Sequence, residues 1–138
     1  MSFPIEEMVK VDSKGRVTIP MVVRELFDIR DGMYLLMIAD RESREIKLIP
    51  LPASSRLARV RLLVEDRPGV LAEITKYIAN LGGDIVSTKC VVLKREELGE
   101  CEMIVDISRT GLSSPEGLTD MLKKLEPVKN VEFSLLKE

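Results

Sequence analysis

The chain has 138 residues, enough for one ordinary domain or two small ones, and its 21 Lys and Arg against 23 Asp and Glu leave a net charge of −2. Bulk charge therefore does not indicate a nucleic-acid partner, and any such role needs a local basic patch. With aromatics at 4% and no Trp, a base-stacking platform of the single-strand-binding kind is disfavoured.

The absence of His removes the commonest metal ligand and the usual general base near neutral pH. No metal site, cofactor or catalytic residue is expected. The start, MSFPIEEM, has neither a basic nor an apolar signal region, and the longest wholly apolar run, residues 33–39, is too short to span a membrane. A cytoplasmic protein with no membrane partner is expected.

In chain order, residues 8–11 and 16–19 read as short β-branched strands around a turn at 12–15, where Lys14, Gly15 and Arg16 stand together. Gly15 supplies the positive φ that a tight turn often needs. Pro20 suits the first position of a helix, and Val22, Val23, Leu26 and Phe27 give that helix a short apolar face. A second strand pair, residues 34–38 and 45–49, flanks the charged tip 40–44. Four short strands and one short helix make a poor core, so this half should need a partner, which an interleaved homodimer would supply.

The stretch LPASSRLA interrupts the pattern and reads as a linker over residues 51–57. Residues 59–65 then alternate, with Val60, Leu62 and Val64 on one face. A helix over 69–81 lines up Val70, Leu71, Ile74, Ile78 and Leu81, and Gly82-Gly83 stops it. Strands follow at 85–93 and 100–108, joined by a charged turn that reads as a solvated hairpin. Ser113 or Ser114 can cap a helix that begins at Pro115, and residues 131–136 form a last strand. The order is βαββαβ, with two helices on one face of an antiparallel sheet. Cys90 and Cys101 should lie nearly opposite each other; a disulfide is open to them, with two reduced thiols favoured.

Two resemblances follow from these motifs. MVKVDSKGRVTIPMVVRELFDIRDG resembles the swapped-hairpin family of AbrB, MazE and SpoVT, over residues 8–50. The resemblance implies an intertwined homodimer with a β-barrel built from both chains and a basic loop that docks on double-stranded DNA. On that reading Lys14 and Arg16 form the tip, Arg24 joins them from the helix and Lys10 adds a weaker contact. Glu25 stands where close relatives often carry a second basic residue. The competing role for Arg16 and Arg24 is to pair with Asp12, Glu25 or Asp28 in a dimerisation module.

VEDRPGVLAEITKYIANLGGDIVSTKC resembles the ACT domain, a small regulatory module of amino-acid metabolism, over residues 58–137. The glycine turn leaves the N–H groups of Gly69, Val70 and Leu71 at a helix start, a ready carboxylate site. Asp66 could hold an ammonium group and Asp84 and Ile85 complete the site as in amino-acid-binding members, while Arg67 would suit an acidic ligand. The competing role is sheet pairing without ligand, with Asp66 as a helix N-cap.

The whole is an α+β chain: a swapped-hairpin domain at 1–50, a linker at 51–57 and a ferredoxin-like ACT domain at 58–138. It reads as a homodimeric or tetrameric transcriptional regulator that binds DNA and senses a small-molecule effector, an amino acid in the favoured case. The alternative is a regulatory subunit that controls an enzyme of amino-acid metabolism through protein contacts. No nucleophile–base pair or phosphate loop supports an enzyme.

Overall fold

The computed structural model describes residues 3–112 and 115–136, and the helix cap expected at Ser113 or Ser114 lies outside them. The chain divides into two compact units, Met1–Ala53 and Ser54–Glu138.

The first unit contains helix α1 (Met21–Leu26) and strands β1 (Leu35–Asp40) and β2 (Glu45–Pro50). The strands pair antiparallel, from Leu35 opposite Pro50 to Asp40 opposite Glu45. Arg44 turns the tip with a positive φ of 57°, and Asp40 Oδ1 accepts the Glu42 and Ser43 N–H groups. Pro20 sits one residue earlier than expected: it is the N-cap, and its carbonyl accepts the N–H groups of Val23 and Arg24.

The strands expected at 8–11 and 16–19 do not form in the single chain. Only their turn closes, with Asp12 N–H donating to Arg16 O at 2.9 Å and Gly15 N–H to Asp12 O at 3.0 Å. The reason is the lack of anything to pack against: Met8, Val9, Val11 and Val17 are all exposed, and an isolated two-stranded ribbon is marginal in water. No described residue of this unit is buried.

The second unit builds a real core. Strands β3 (Leu57–Glu65), β4 (Asp84–Lys94), β5 (Leu98–Asp106) and β6 (Val128–Leu135) make an antiparallel sheet in the order β4-β5-β3-β6. Helices α2 (Val70–Asn80) and α3 (Pro115–Lys123) cover one face. The strict alternation of β3 sends Ala58, Val60, Leu62 and Val64 to that face, where they meet Met103 and Val105 of β5, Ile74 and Ile78 of α2, and Leu118 and Leu122 of α3. Glycine is required where α2 turns into β4. Gly82 has φ +94°, and a Cβ there would stand 2.5 Å from Arg109 O; one on Gly83 would stand 2.6 Å from Ile78 Cγ2.

The uncovered face is ionic. Lys89, Glu102, Arg61 and Glu132 occupy one row across the four strands. Arg61 reaches Glu102 at 3.1 Å and Glu100 at 3.6 Å, and Arg59 reaches Glu102 at 3.3 Å.

Candidate functional site

Two places gather the residues singled out by the sequence, one in each unit. The first is the turn at 12–16. Asp12 is its staple: Oδ1 accepts the N–H groups of Lys14 (2.9 Å) and Arg16 (2.8 Å), and Oδ2 takes Arg16 Nε at 2.8 Å. Gly15, at φ +79°, closes the loop. The hydrogen bond from Arg16 N–H, with the guanidinium second, holds the Asp12 carboxyl below its ordinary value. The tip thus carries Lys10, Lys14 and Arg16 against one carboxylate, all exposed.

Arg16 does pair with Asp12, as the dimerisation-module alternative anticipated, but through Nε, one of five guanidinium N–H donors. Arg24 is exposed and forms no ion pair with Glu25 or Asp28. Its Nε donates to Ile19 O at 3.0 Å, which fastens the guanidinium to the end of the arm leading from the tip.

The second place is the loop from β3 to α2. Gly69, at φ +86°, is the helix N-cap and offers no side chain to the first turn. Asp66 is therefore not an N-cap. Its Oδ2 accepts the Glu96 N–H at 2.7 Å and its own N–H donates to Glu97 O at 3.3 Å, so it ties the loop to the β4–β5 turn. Arg67 pairs with Glu65 at 2.8 Å, and that hydrogen bond raises the Arg67 pKa further. Val70 is buried in the core, whereas Leu71 is exposed.

Asp84 and Ile85 do not join Asp66–Leu71 within one chain. Asp84 is in register with Asp106, and Asp106 with Leu57, the first residue of β3; Asp66 follows its last. Eight steps along β3 at 3.3 Å each separate the two ends by about 26 Å. The cause is α2, which carries the chain back the length of the sheet, so that β4 starts at the end opposite the glycine turn.

Sequence reasoning missed Asp106. Its Oδ1 accepts Arg56 N–H at 3.1 Å and Ser108 N–H at 3.0 Å, pinning the segment that enters β3. Burial pushes its pKa up, but the hydrogen bonds from Ser108 and Arg56 outweigh that and hold it below the ordinary carboxylate value. Ser55 Oγ is buried beside this cluster without a well-formed hydrogen bond. An Asp at a strand end, two residues before a Ser, was the only signal available.

The cysteines are opposite each other as expected, but the structure joins them in a disulfide, contrary to the favoured pair of reduced thiols. Their facing positions in the β4–β5 ladder bring the sulfurs within bonding reach. Among the described residues no group of three His, Cys, Asp or Glu is placed to hold a metal, and no helix is long and apolar enough to cross a membrane.

Both units match family models. Residues 8–55 match the family model for antidote-toxin recognition MazE, bacterial antitoxin, and residues 52–132 match the model for the ACT domain. Among solved structures, the chain is similar to the solution NMR structure of the ACT domain from the GTP pyrophosphokinase of Chlorobium tepidum. The identity is 23%, covering 59% of this chain and 88% of that one, with a TM-score of 0.45. No curated protein sequence matches. The ACT match spans more than half of the chain, which therefore belongs to the ACT domain family and carries a MazE-like segment ahead of that domain.

Proposed function

We propose that this protein is a homodimeric, non-enzymatic regulator of transcription in the cytoplasm that binds double-stranded DNA through its first unit and senses an amino acid through its second. The observation that carries the reading is the rigid tip, on which Asp12 holds the backbone of Lys14 and Arg16 while their side chains face solvent. A two-fold axis doubles Lys10, Lys14, Arg16 and Arg24 onto one surface. Neutralising several phosphates in this way makes affinity fall steeply with salt, and an Arg in a groove can read guanine edges.

The need for a partner is supported by the exposure of Met8, Val9, Val11 and Val17 in one chain. A second copy would complete the unpaired arms and bury Met8, Val9, Val11 and Val17. In the sensor, β4 is an edge strand with Val91, Val92 and Leu93 exposed. Antiparallel pairing of β4 with its own copy would bring the partner's Asp84 and the partner's Ile85 toward the loop at Asp66–Leu71. The effector's carboxylate would then meet the helix start and its ammonium an Asp carboxylate, so that the site is completed by dimerisation. Pairing in this way across different swapped dimers would give a tetramer.

Coupling requires that the effector bind two states of the assembly with different affinity. The segment between β2 and β3, residues 51–56 because Leu57 already belongs to β3, is the covalent route. Replacing it with a longer Gly/Ser segment should abolish the effector response and leave DNA binding intact; a surviving response would exclude rigid transmission.

The test of DNA binding is fluorescence anisotropy of duplex DNA from upstream of the protein's own gene, titrated at two salt concentrations. Arg16→Ala and Lys14→Ala should weaken binding and lower its salt dependence. Binding that ignores both substitutions would contradict the basic-tip reading. No binding to any fragment at low salt, with co-purification of an amino-acid-dependent enzyme, would favour a regulatory subunit acting through protein contacts.

A further inference from the structure

The disulfide has two unlike ends. Cys101 is 4% exposed, within the core cluster under the helices, whereas Cys90 is exposed on an edge strand. Cys90 is therefore the more accessible end for an external thiolate. The bridge spans 11 residues that the β4–β5 ladder already holds together, and so short a loop yields less stabilisation than a long one. Stability is a weak reason for the bond. A regulator acting on DNA works in a reducing compartment, where disulfides are mostly redox-sensing or catalytic.

The position of the bridge gives it something to control. β4 pairs only with β5 in the described sheet, and the tip of this hairpin is the part that Asp66 grips through Glu96 and Glu97. We propose that Cys90–Cys101 is a reversible thiol–disulfide exchange site for low-molecular-weight thiols and disulfides, and that its state sets how firmly β4 and the 94–97 tip are held against the sensor unit. This rests on the DNA-binding reading only for the compartment argument.

The exchange balances as follows. A small thiolate attacks Sγ of Cys90, the Cys90–Cys101 bond breaks, and Cys101 leaves and takes a proton, leaving a mixed disulfide on Cys90. A second small thiolate attacks the outer sulfur of that mixed disulfide. A small-molecule disulfide departs and Cys90 is freed; two electrons have passed from two small thiols to the protein. In reverse, a small-molecule disulfide is the oxidant, Cys90 takes the adduct and Cys101 resolves it. Cys101 is buried in the core and Cys90 is exposed, so access makes Cys90 the entry point.

The test equilibrates the full chain with mixtures of reduced and oxidised glutathione, quenches with iodoacetamide and reads intact mass. Amide hydrogen exchange over residues 84–98 is then compared in the two forms. The pair should open and reclose, with several-fold faster exchange when open. In oxidised glutathione, Cys101→Ala should accumulate a stable adduct on Cys90, and Cys90→Ala should acquire little. The proposal is overturned if the bond stays closed in reduced glutathione or fails to form in oxidised glutathione. Unchanged exchange between the two forms overturns it too, as does an equal adduct on both variants. None of these readouts involves DNA, so a failure to bind DNA would leave them interpretable.

Discussion

The two units spend their apolar residues differently. In the second, Val60, Leu62, Ile74, Ile78, Met103, Val105, Leu118 and Leu122 are buried within the chain, closed over by two helices. In the first, no described residue is buried, and Met8, Met21, Leu26, Met37 and Ile46 stand largely in water. Both have ordinary hydrophobic content, so the difference lies in geometry. Two strands and a six-residue helix cannot enclose a core, whereas four strands and two longer helices can. One unit encloses a core within the chain, and the other does not.

The largest effect should come from breaking the complete unit where it has no slack. Gly82→Ala combines a positive φ with a Cβ 2.5 Å from Arg109 O, and should destabilise the second unit by more than about 3 kcal/mol in urea unfolding. The next test goes to the comparison itself. Met8→Ser and Val11→Ser replace exposed side chains, and exposed sites usually tolerate change to within about 0.5 kcal/mol. If a second copy covers them, each should cost about 1–3 kcal/mol per chain and make the unfolding midpoint of the first unit depend on protein concentration. A small cost with no concentration dependence would mean that the unit stands alone.

Asp106→Ala comes third. It leaves the Arg56 and Ser108 N–H groups without their carboxylate and should cost about 1–3 kcal/mol. The pH dependence has a definite sign. Because the folded carboxyl sits below its unfolded value, near 3.9 in model peptides, its contribution is present above that value and lost as pH falls through the lower folded one. Asp106→Asn should therefore flatten the acid limb of a stability-versus-pH curve. The smallest effect belongs to the ionic face: Arg61→Ala removes solvent-exposed contacts to Glu100 and Glu102, and should leave the unfolding midpoint almost where it was.

What could be read in advance followed the same division. The β3 alternation and the spacing of Val70, Ile74 and Ile78 were legible because their burial is decided within the chain, by periods of 2 and 3.6. Residues 8–11 and 16–19 have the side chains of strands, yet no ladder forms, since nothing in the chain covers Met8, Val9, Val11 and Val17. The tip was readable because Asp12 and Gly15 act locally. Asp84 was not: its nearness in sequence to the helix end says nothing about which end of the sheet it reaches. Asp66 was legible as important but not as a tie to Glu96, because that bond joins residues 30 apart. The facing positions of Cys90 and Cys101 followed from hairpin register, whereas the bond between them did not.

The proposed function turns on control of DNA binding in the first unit by the second. The most direct measurement is the affinity of the full chain for its upstream DNA at fixed salt, by anisotropy, with and without a mixture of the twenty amino acids. Coupling of the usual allosteric size predicts a shift of roughly 5- to 150-fold. That shift should disappear in the variant with the lengthened Gly/Ser linker. An affinity that is salt-sensitive but identical with and without the mixture would contradict amino-acid control and leave the ACT unit as a pairing module.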